Sequence, residues 1–186
     1  MYYSKRKSII KNLISIVIII LIALYATHHI YYKFKDVKNV DYSSKSLDII
    51  FHSEDGDRVT LEKATPVTDA VGLSSNAYTL SIKNNLTEDV TYELKLHDDV
   101  EKTIEDNCLD NIIPKELIRV SIKKNNEKAK IFTLSELEDS NLDVEKMKAL
   151  EKVDYSIRLW VATSQTPVAK DSHYHGIIKV VEKEVE

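Results

Sequence analysis

The strongest constraint on the fold is an alternation of apolar and polar residues that recurs along the chain after Ser46. It is clearest over 155–162, where an apolar residue occupies every second position. Successive side chains of a β-strand point to opposite faces of a sheet, so this pattern predicts strands with one buried face. Further segments of the same kind begin near residues 47, 58, 78, 90, 118, 130 and 173. About eight short strands predict an all-β sandwich, Ig-like or jelly-roll, over residues 46–182.

Two turn motifs predict how the first four strands pair. Asp55-Gly56 separates the segments that begin near residues 47 and 58, and Asn84-Asn85 separates those near residues 78 and 90. Such residue pairs favour tight turns, so we expect two successive hairpins. Residues 135–150 lack the alternation and are rich in Glu and Lys, which predicts one or two helical turns.

A basic leader and an apolar run at the N-terminus predict a membrane segment. Residues 1–12 contain four basic side chains and no acidic one, and the fourteen residues of 13–26 carry no charge. With the two preceding isoleucines and Lys11 included, a helix of this run spans about 27 Å, close to the hydrocarbon thickness of a bilayer. We expect a basic cytoplasmic leader over 1–8, a transmembrane helix or signal anchor over 9–27 and a stalk over 28–45.

The charges near this segment predict its orientation. Lys and Arg are more frequent before it than over 27–41, and basic residues close to a span favour the cytoplasmic side. We therefore expect the N-terminus inside and the sandwich outside the cytoplasm. The alternative is a cleaved signal peptide. Leu24-Tyr25-Ala26 is a poor cleavage motif, because Leu occupies a position that usually holds a small residue, so we favour an uncleaved anchor.

The overall composition excludes several function classes. The chain of 186 residues has 26 Lys and Arg against 30 Asp and Glu, a formal net charge of −4. This balance is unlike that of a dedicated nucleic-acid binder, so we expect no nucleic-acid partner. One Cys excludes a disulfide framework and a cysteine-based zinc site. Neither a Gly-x-Ser-x-Gly motif nor a Gly-rich phosphate loop occurs, and we expect no catalytic residue and no cofactor.

Several motifs carry a resemblance to a known group of proteins. Tyr78-x-Leu-x-Ile-Lys-Asn-Asn is followed by Val90-x-Tyr-x-Leu, and Tyr155-x-x-Arg-Leu-Trp is followed by His175-Gly-x-Ile-x-Val. In these motifs residues 47–181 resemble the TasA/camelysin-like surface proteins of Firmicutes and their membrane-tethered relatives. The resemblance implies a jelly-roll-like sandwich behind a hydrophobic N-terminal segment, with a structural role at the cell surface. Camelysin has been described as a metalloprotease, so the resemblance also implies that a metal-binding site must be considered.

The chain contains no His-Glu-x-x-His motif of the kind that binds zinc in metalloproteases. The best candidates are His173 and His175, because residues i and i+2 of a strand share a face and two imidazoles there can bind one metal ion. A third ligand would be needed, such as Asp171 or a distant carboxylate. Two surface histidines at the start of a strand are the commoner arrangement, so we expect no metal site. Cys108 is expected to be a small buried residue and not a nucleophile.

Two further groups have alternative interpretations. The acidic residues over 98–110 are either calcium ligands or a solvated loop, and we favour the loop because the spacing of a calcium-binding loop is missing. Arg158 and Trp160 lie on the second face of their strand. They either pack beneath another element or form an exposed binding patch, and we favour packing.

These patterns predict a membrane-anchored, extracytoplasmic β-sandwich with a structural or protein-interaction role at the cell surface and without catalysis. The expected partners are the membrane, crossed once, and a protein at the cell surface. Two alternatives remain open. One is a secreted, self-assembling subunit of a fibre or biofilm matrix, cleaved near Ala26. The other is a metal-dependent hydrolase that uses His173 and His175.

Overall fold

The computed structural model describes residues 46–62, 65–164, 168–169 and 171–183. The predicted leader, membrane segment and stalk therefore lie outside the described residues. Within those residues, none of the helices has both the length and the apolar character needed to cross a bilayer.

The described residues form nine strands in two antiparallel sheets. The strands are β1 (Leu47–Phe51), β2 (Arg58–Glu62), β3 (Tyr78–Asn84), β4 (Val90–Asp98), β5 (Ile118–Lys124), β6 (Lys130–Thr133), β7 (Asn141–Met147), β8 (Lys152–Val161) and β9 (His173–Lys183). The five-stranded sheet has the order β1-β3-β8-β5-β6, and the four-stranded sheet has the order β2-β9-β4-β7. Two short helices, α1 (Asp69–Gly72) and α2 (Val100–Glu105), lie between strands. The all-β sandwich predicted from the alternation is confirmed.

The core lies between the two sheets and is built from the apolar positions of the alternating segments. On β8, Tyr155, Ile157, Leu159 and Val161 are all buried, as their spacing predicts. They join one continuous cluster with buried side chains from eight of the nine strands. Burial of one such side chain contributes about 1.5–3 kcal/mol to stability. The alternating positions therefore account for most of the free energy that stabilises the packing of the two sheets.

The two predicted hairpins between the first four strands are wrong. β1 pairs with β3, where Ile49 faces Ile82, and β2 pairs with β9, where Val59 faces Gly176. Each turn leads the chain from one sheet across to the other. A tight turn reverses the chain in both cases, so turn residues alone do not distinguish a hairpin from a connection between layers. By contrast, β5 and β6 are adjacent in both sequence and sheet and form a hairpin, with Ser121 facing Ile131.

The helical prediction for residues 135–150 holds only at its beginning. Two 3-10 turns, Leu134–Glu136 and Glu138–Ser140, are followed by β7, which lies at the edge of the four-stranded sheet. The buried residues of β7 are Leu142 and Met147, an odd number of positions apart, and its pairing with β4 shifts register. A shift in register breaks the period of two, so the sequence pattern did not predict this strand.

Trp160 and α1 cover the outer face of the five-stranded sheet. The indole is buried and its Nε1–H donates to Asp69 Oδ1 at 3.1 Å. A Cβ atom at Gly72 would lie 2.2 Å from the indole ring, so only glycine permits this approach. Arg158 Nε donates to the carbonyl of Ser75 at 2.9 Å. The prediction of packing beneath another element is confirmed for Trp160, whereas Arg158 is only half-buried and its hydrogen bond is exposed.

Candidate functional site

His173 and His175 lie at the beginning of β9, on the outer face of the four-stranded sheet. The intervening Tyr174 points to the core, together with Ile178. The two imidazole rings are nearly parallel, with an interplanar angle of 18° and centroids 6.1 Å apart. The period of two therefore places both rings on one face, as predicted.

The segment of residues 99–113, here called the crossover, covers this face. Its beginning is attached where the Asp99 amide donates to the carbonyl of His175 at 2.9 Å. Its end is attached where the His173 amide donates to the carbonyl of Asn111 and the Ile113 amide donates to the carbonyl of His173, both at 2.8 Å. Attached at both ends, the crossover leaves His175 only 3% exposed and His173 half-buried.

Asp99 fixes the start of α2 within the crossover. Its side chain accepts a hydrogen bond from the Lys102 amide at 3.0 Å, which satisfies one of the free donors of a helix N-terminus. The same carboxylate lies 2.8 Å from Arg58 Nε on β2. This buried aspartate therefore joins the crossover to the edge of the sheet.

Cys108 returns towards the two histidines because α2 ends in a sharp turn. Asn107 adopts the left-handed conformation, with φ 53°, which Asn tolerates better than most residues. The Cys108 amide then donates to the carbonyl of Thr103 at 3.0 Å, and its thiol donates to the carbonyl of Asp106 at 3.4 Å. The side chain of Cys108 is buried, as predicted, but against histidines.

Cys108, His173 and His175 form a group of potential metal ligands. One donor atom from each residue lies within 4.8 Å of the other two. The sequence indicated the two histidines, but it assigned the third position to Asp171 or a carboxylate. Asp171 is not part of the group. A single Cys excludes a zinc site built on several cysteines, but it does not exclude a mixed set of one thiolate and two imidazoles. The sequence did not indicate this set, because only the path of the crossover brings Cys108 to β9.

His175 has a buried ring nitrogen without a hydrogen bond. Within the described part of the chain, its Nε2 atom has no hydrogen-bond partner. Asp106 Oδ2 lies 3.6 Å away, beyond hydrogen-bond distance. On the other side of the ring, Nδ1 lies 3.5 Å from Thr60 Oγ1. If Nδ1 carries the proton and donates to Thr60, Nε2 has a free lone pair that can bind a metal ion.

Two acidic residues around the crossover, Asp98 and Asp106, each pair with a lysine. Asp98 Oδ2 lies 2.7 Å from Lys115 Nζ, and Asp106 Oδ1 lies 2.8 Å from Lys102 Nζ. The hydrogen bond from Lys102 is the main cause that lowers the pKa of Asp106 below its ordinary value. Asp106 is therefore a carboxylate at neutral pH and places a negative charge beside His175.

An apolar pocket of about 150 Å³ opens next to the two histidines. Its apolar lining includes Val100, Leu109 and Ile112, which are 61%, 59% and 49% exposed. Ile104, one helical turn after Val100, is 57% exposed. Four large apolar side chains of the crossover are thus exposed to water. These four residues, Val100, Ile104, Leu109 and Ile112, are here called the apolar patch. The sequence did not indicate it, because the residues lie among charges without a regular period.

Comparison of the chain with models of known protein families, with curated proteins and with solved structures gives no match.

Proposed function

We propose that this chain is a membrane-anchored protein whose β-sandwich lies outside the cytoplasm and binds a protein partner at the cell surface, without catalysis. The observation that supports this proposal best is the apolar patch of Val100, Ile104, Leu109 and Ile112. Large apolar side chains that cluster on a surface are typical of interaction sites, because burying them against a partner releases water from apolar surface.

The pocket within the patch suggests the chemistry of the partner. Its volume of about 150 Å³ suits one large aliphatic or aromatic side chain. Asp98 and Lys115 also line it and form an ion pair with each other. We therefore propose a partner that inserts one apolar side chain into the pocket and surrounds it with polar contacts, which is the usual arrangement of a binding hot spot.

The membrane part of the proposal rests on residues 1–45. The uncharged run over 13–26 follows a basic leader, and the basic residues favour an N-terminus inside the cytoplasm. The finer fold class is also part of the proposal. Successive strands alternate between the two sheets along most of the described chain, which supports a jelly-roll-like arrangement. The relationship to the TasA/camelysin-like surface proteins is proposed from the sequence motifs alone.

Cross-linking in intact cells tests the interaction. A photoreactive amino acid replaces Ile112 in the patch or, as the matched control, Val144 on β7; the native side chains are 49% and 48% exposed. We expect a discrete cross-linked product from position 112 alone, and we expect Leu109→Asp to abolish it. The same products from both positions, or a product that survives Leu109→Asp, would contradict the proposed site.

Labelling and mass measurement test the anchor. Lys128→Cys introduces a thiol at an exposed position near the β5–β6 turn, whereas the native Cys108 is buried. We expect a membrane-impermeant maleimide to label this variant on intact cells well above the unmodified chain. We also expect the full-length mass in the membrane fraction. A chain that begins at Thr27 in the medium would favour the secreted subunit instead, and labelling only after lysis would contradict the orientation.

A further inference from the structure

We propose that Cys108, His173 and His175 bind one zinc ion and thereby attach the crossover to β9. This proposal does not depend on the anchor or on the partner proposed above, although His173 and His175 also line the apolar pocket. The three side chains come from two elements, and their donor atoms lie within 4.8 Å of one another. In a tetrahedral zinc site the ligand atoms are about 3.3–3.8 Å apart, so small rotations bring the three side chains to three of the four positions, and a water molecule would take the fourth.

The buried nitrogen of His175 is an independent observation that points to a ligand. An imidazole that is 3% exposed has lost its contact with water, yet its Nε2 atom has no hydrogen-bond partner among the described residues. A buried polar atom without a partner is costly, at about 1–3 kcal/mol. A metal ion bound to Nε2 removes this cost. Thr60 Oγ1, 3.5 Å from Nδ1, is placed to orient the ring from its other side.

The donor set restricts the metal. One thiolate and two imidazoles suit zinc or copper, whereas calcium and magnesium take oxygen ligands. Zinc is the ion proposed here, and the titration below separates it from copper. On binding, the Cys108 thiol releases its proton and its sulfur forms the bond to zinc. Asp106, held by Lys102 at 2.8 Å, contributes a second negative charge close to His175. The thiolate neutralises one of the two charges of the ion, whereas the charge of Asp106 is shared with Lys102.

The site would stabilise a part of the molecule that has few other attachments to the sheet. Between its two ends, the crossover exposes most of its apolar side chains, so packing contributes little to holding it there. A metal bridge from Cys108 to two residues of β9 closes a loop in the middle of the crossover. We expect bound zinc to protect residues 99–113 from hydrogen exchange more than the rest of the sandwich.

Zinc titration of the full-length protein in detergent tests the site. The protein is first stripped with a chelator, and bound zinc is then measured by mass spectrometry and isothermal titration calorimetry. We expect one zinc per chain. Cobalt(II) substitution should give a sulfur-to-cobalt charge-transfer band, which appears only when Cys108 Sγ is a ligand. Binding of copper(I) without binding of zinc would overturn the assignment.

Two ligand variants are compared, because a substitution at a buried position can prevent the protein from folding. Cys108→Ser is nearly isosteric, and His173→Gln changes a half-buried side chain. Each should weaken zinc binding by about 100-fold or more. Replacing a residue that only contacts a metal ligand weakens metal binding by up to about 100-fold, and loss of a ligand itself should have at least that effect. Two control variants should bind zinc like the unmodified chain. One is His52→Gln, which changes an exposed histidine that contacts Ser81. The other combines His28→Gln with His29→Gln. Folded variants that bind zinc like the unmodified chain would refute the proposal.

Discussion

The side-chain oxygens of Tyr92 and Tyr155 lie 2.7 Å apart and form a hydrogen bond between the two sheets. Tyr92 belongs to β4 and Tyr155 to β8, and their rings meet edge to face with centroids 6.5 Å apart. The Tyr155 hydroxyl donates to Asp143 Oδ2 at 3.1 Å, so the shared hydrogen belongs to Tyr92. A chain of hydrogen bonds therefore runs from β4 through the core to β7.

Removing either hydroxyl should destabilise the fold, but to different extents. Tyr92→Phe leaves Tyr155 bonded to Asp143, so we expect a loss of about 1 kcal/mol in the free energy of unfolding. Tyr155→Phe leaves the buried hydroxyl of Tyr92 without its acceptor, and we expect about 1–3 kcal/mol. Urea denaturation of the two variants measures the difference. An equal or reversed order would show that the hydrogen bonds do not run in this direction.

The buried tyrosines predict loss of stability at high pH. Burial raises the pKa of Tyr92, Tyr155 and Tyr174 above the ordinary value of about 10. Above that pH the unfolded chain loses these protons while the folded chain keeps them, so the free energy of unfolding falls as pH rises. We expect the last tyrosinate absorbance to appear together with the loss of circular dichroism. Complete ionisation before unfolding would contradict this burial.

The ion pairs of Glu93 predict a loss of stability in acid. Its carboxylate lies 2.6 Å from Lys183 Nζ and 2.8 Å from Lys95 Nζ, and the hydrogen bond from Lys183 is the main cause that lowers its pKa. The stabilisation is present above the unfolded value of about 4.3 and is lost as pH falls through the lower folded value.

Replacing Glu93 tests this acid dependence. We expect Glu93→Gln to reduce the free energy of unfolding at neutral pH and to flatten its decline between about pH 5 and pH 3. Glu116→Gln changes an exposed residue of the 3-10 turn Lys115–Leu117, and as the matched control it should leave the profile unchanged. The profiles come from urea denaturation at a series of pH values. Parallel profiles for the unmodified chain and Glu93→Gln would exclude a role for this carboxylate.

Gly72 should tolerate no side chain beneath Trp160. A Cβ atom there would lie 2.2 Å from the indole, so Gly72→Ala must displace the ring or the helix, at a cost of about 1–3 kcal/mol. Trp160 is the single Trp of the chain, so its fluorescence reports the displacement directly. Val71→Ala changes an exposed neighbour and should leave both fluorescence and stability unchanged. An unchanged emission spectrum in Gly72→Ala would contradict the close packing.

The alternation of the sequence determined the layer structure, because the period of a strand is a property of the backbone itself. Tyr155, Ile157, Leu159 and Val161 are buried as a set, and the same period placed His173 and His175 on one face. The strand β7 was missed where a shift in register interrupts that period. Local sequence thus predicted what each segment forms, wherever its pattern is regular.

Only the tertiary structure decided which strands meet and what lies over their faces. The turns at Gly56 and after Asn84 reverse the chain, but the sheet that each strand joins depends on apolar surfaces that become neighbours only when both layers assemble. Cys108 reaches the two histidines for the same reason, since backbone hydrogen bonds from Asp99 and Ile113 attach the crossover across β9. Contacts between residues distant in sequence depend on where the whole chain is packed, and no local period encodes them.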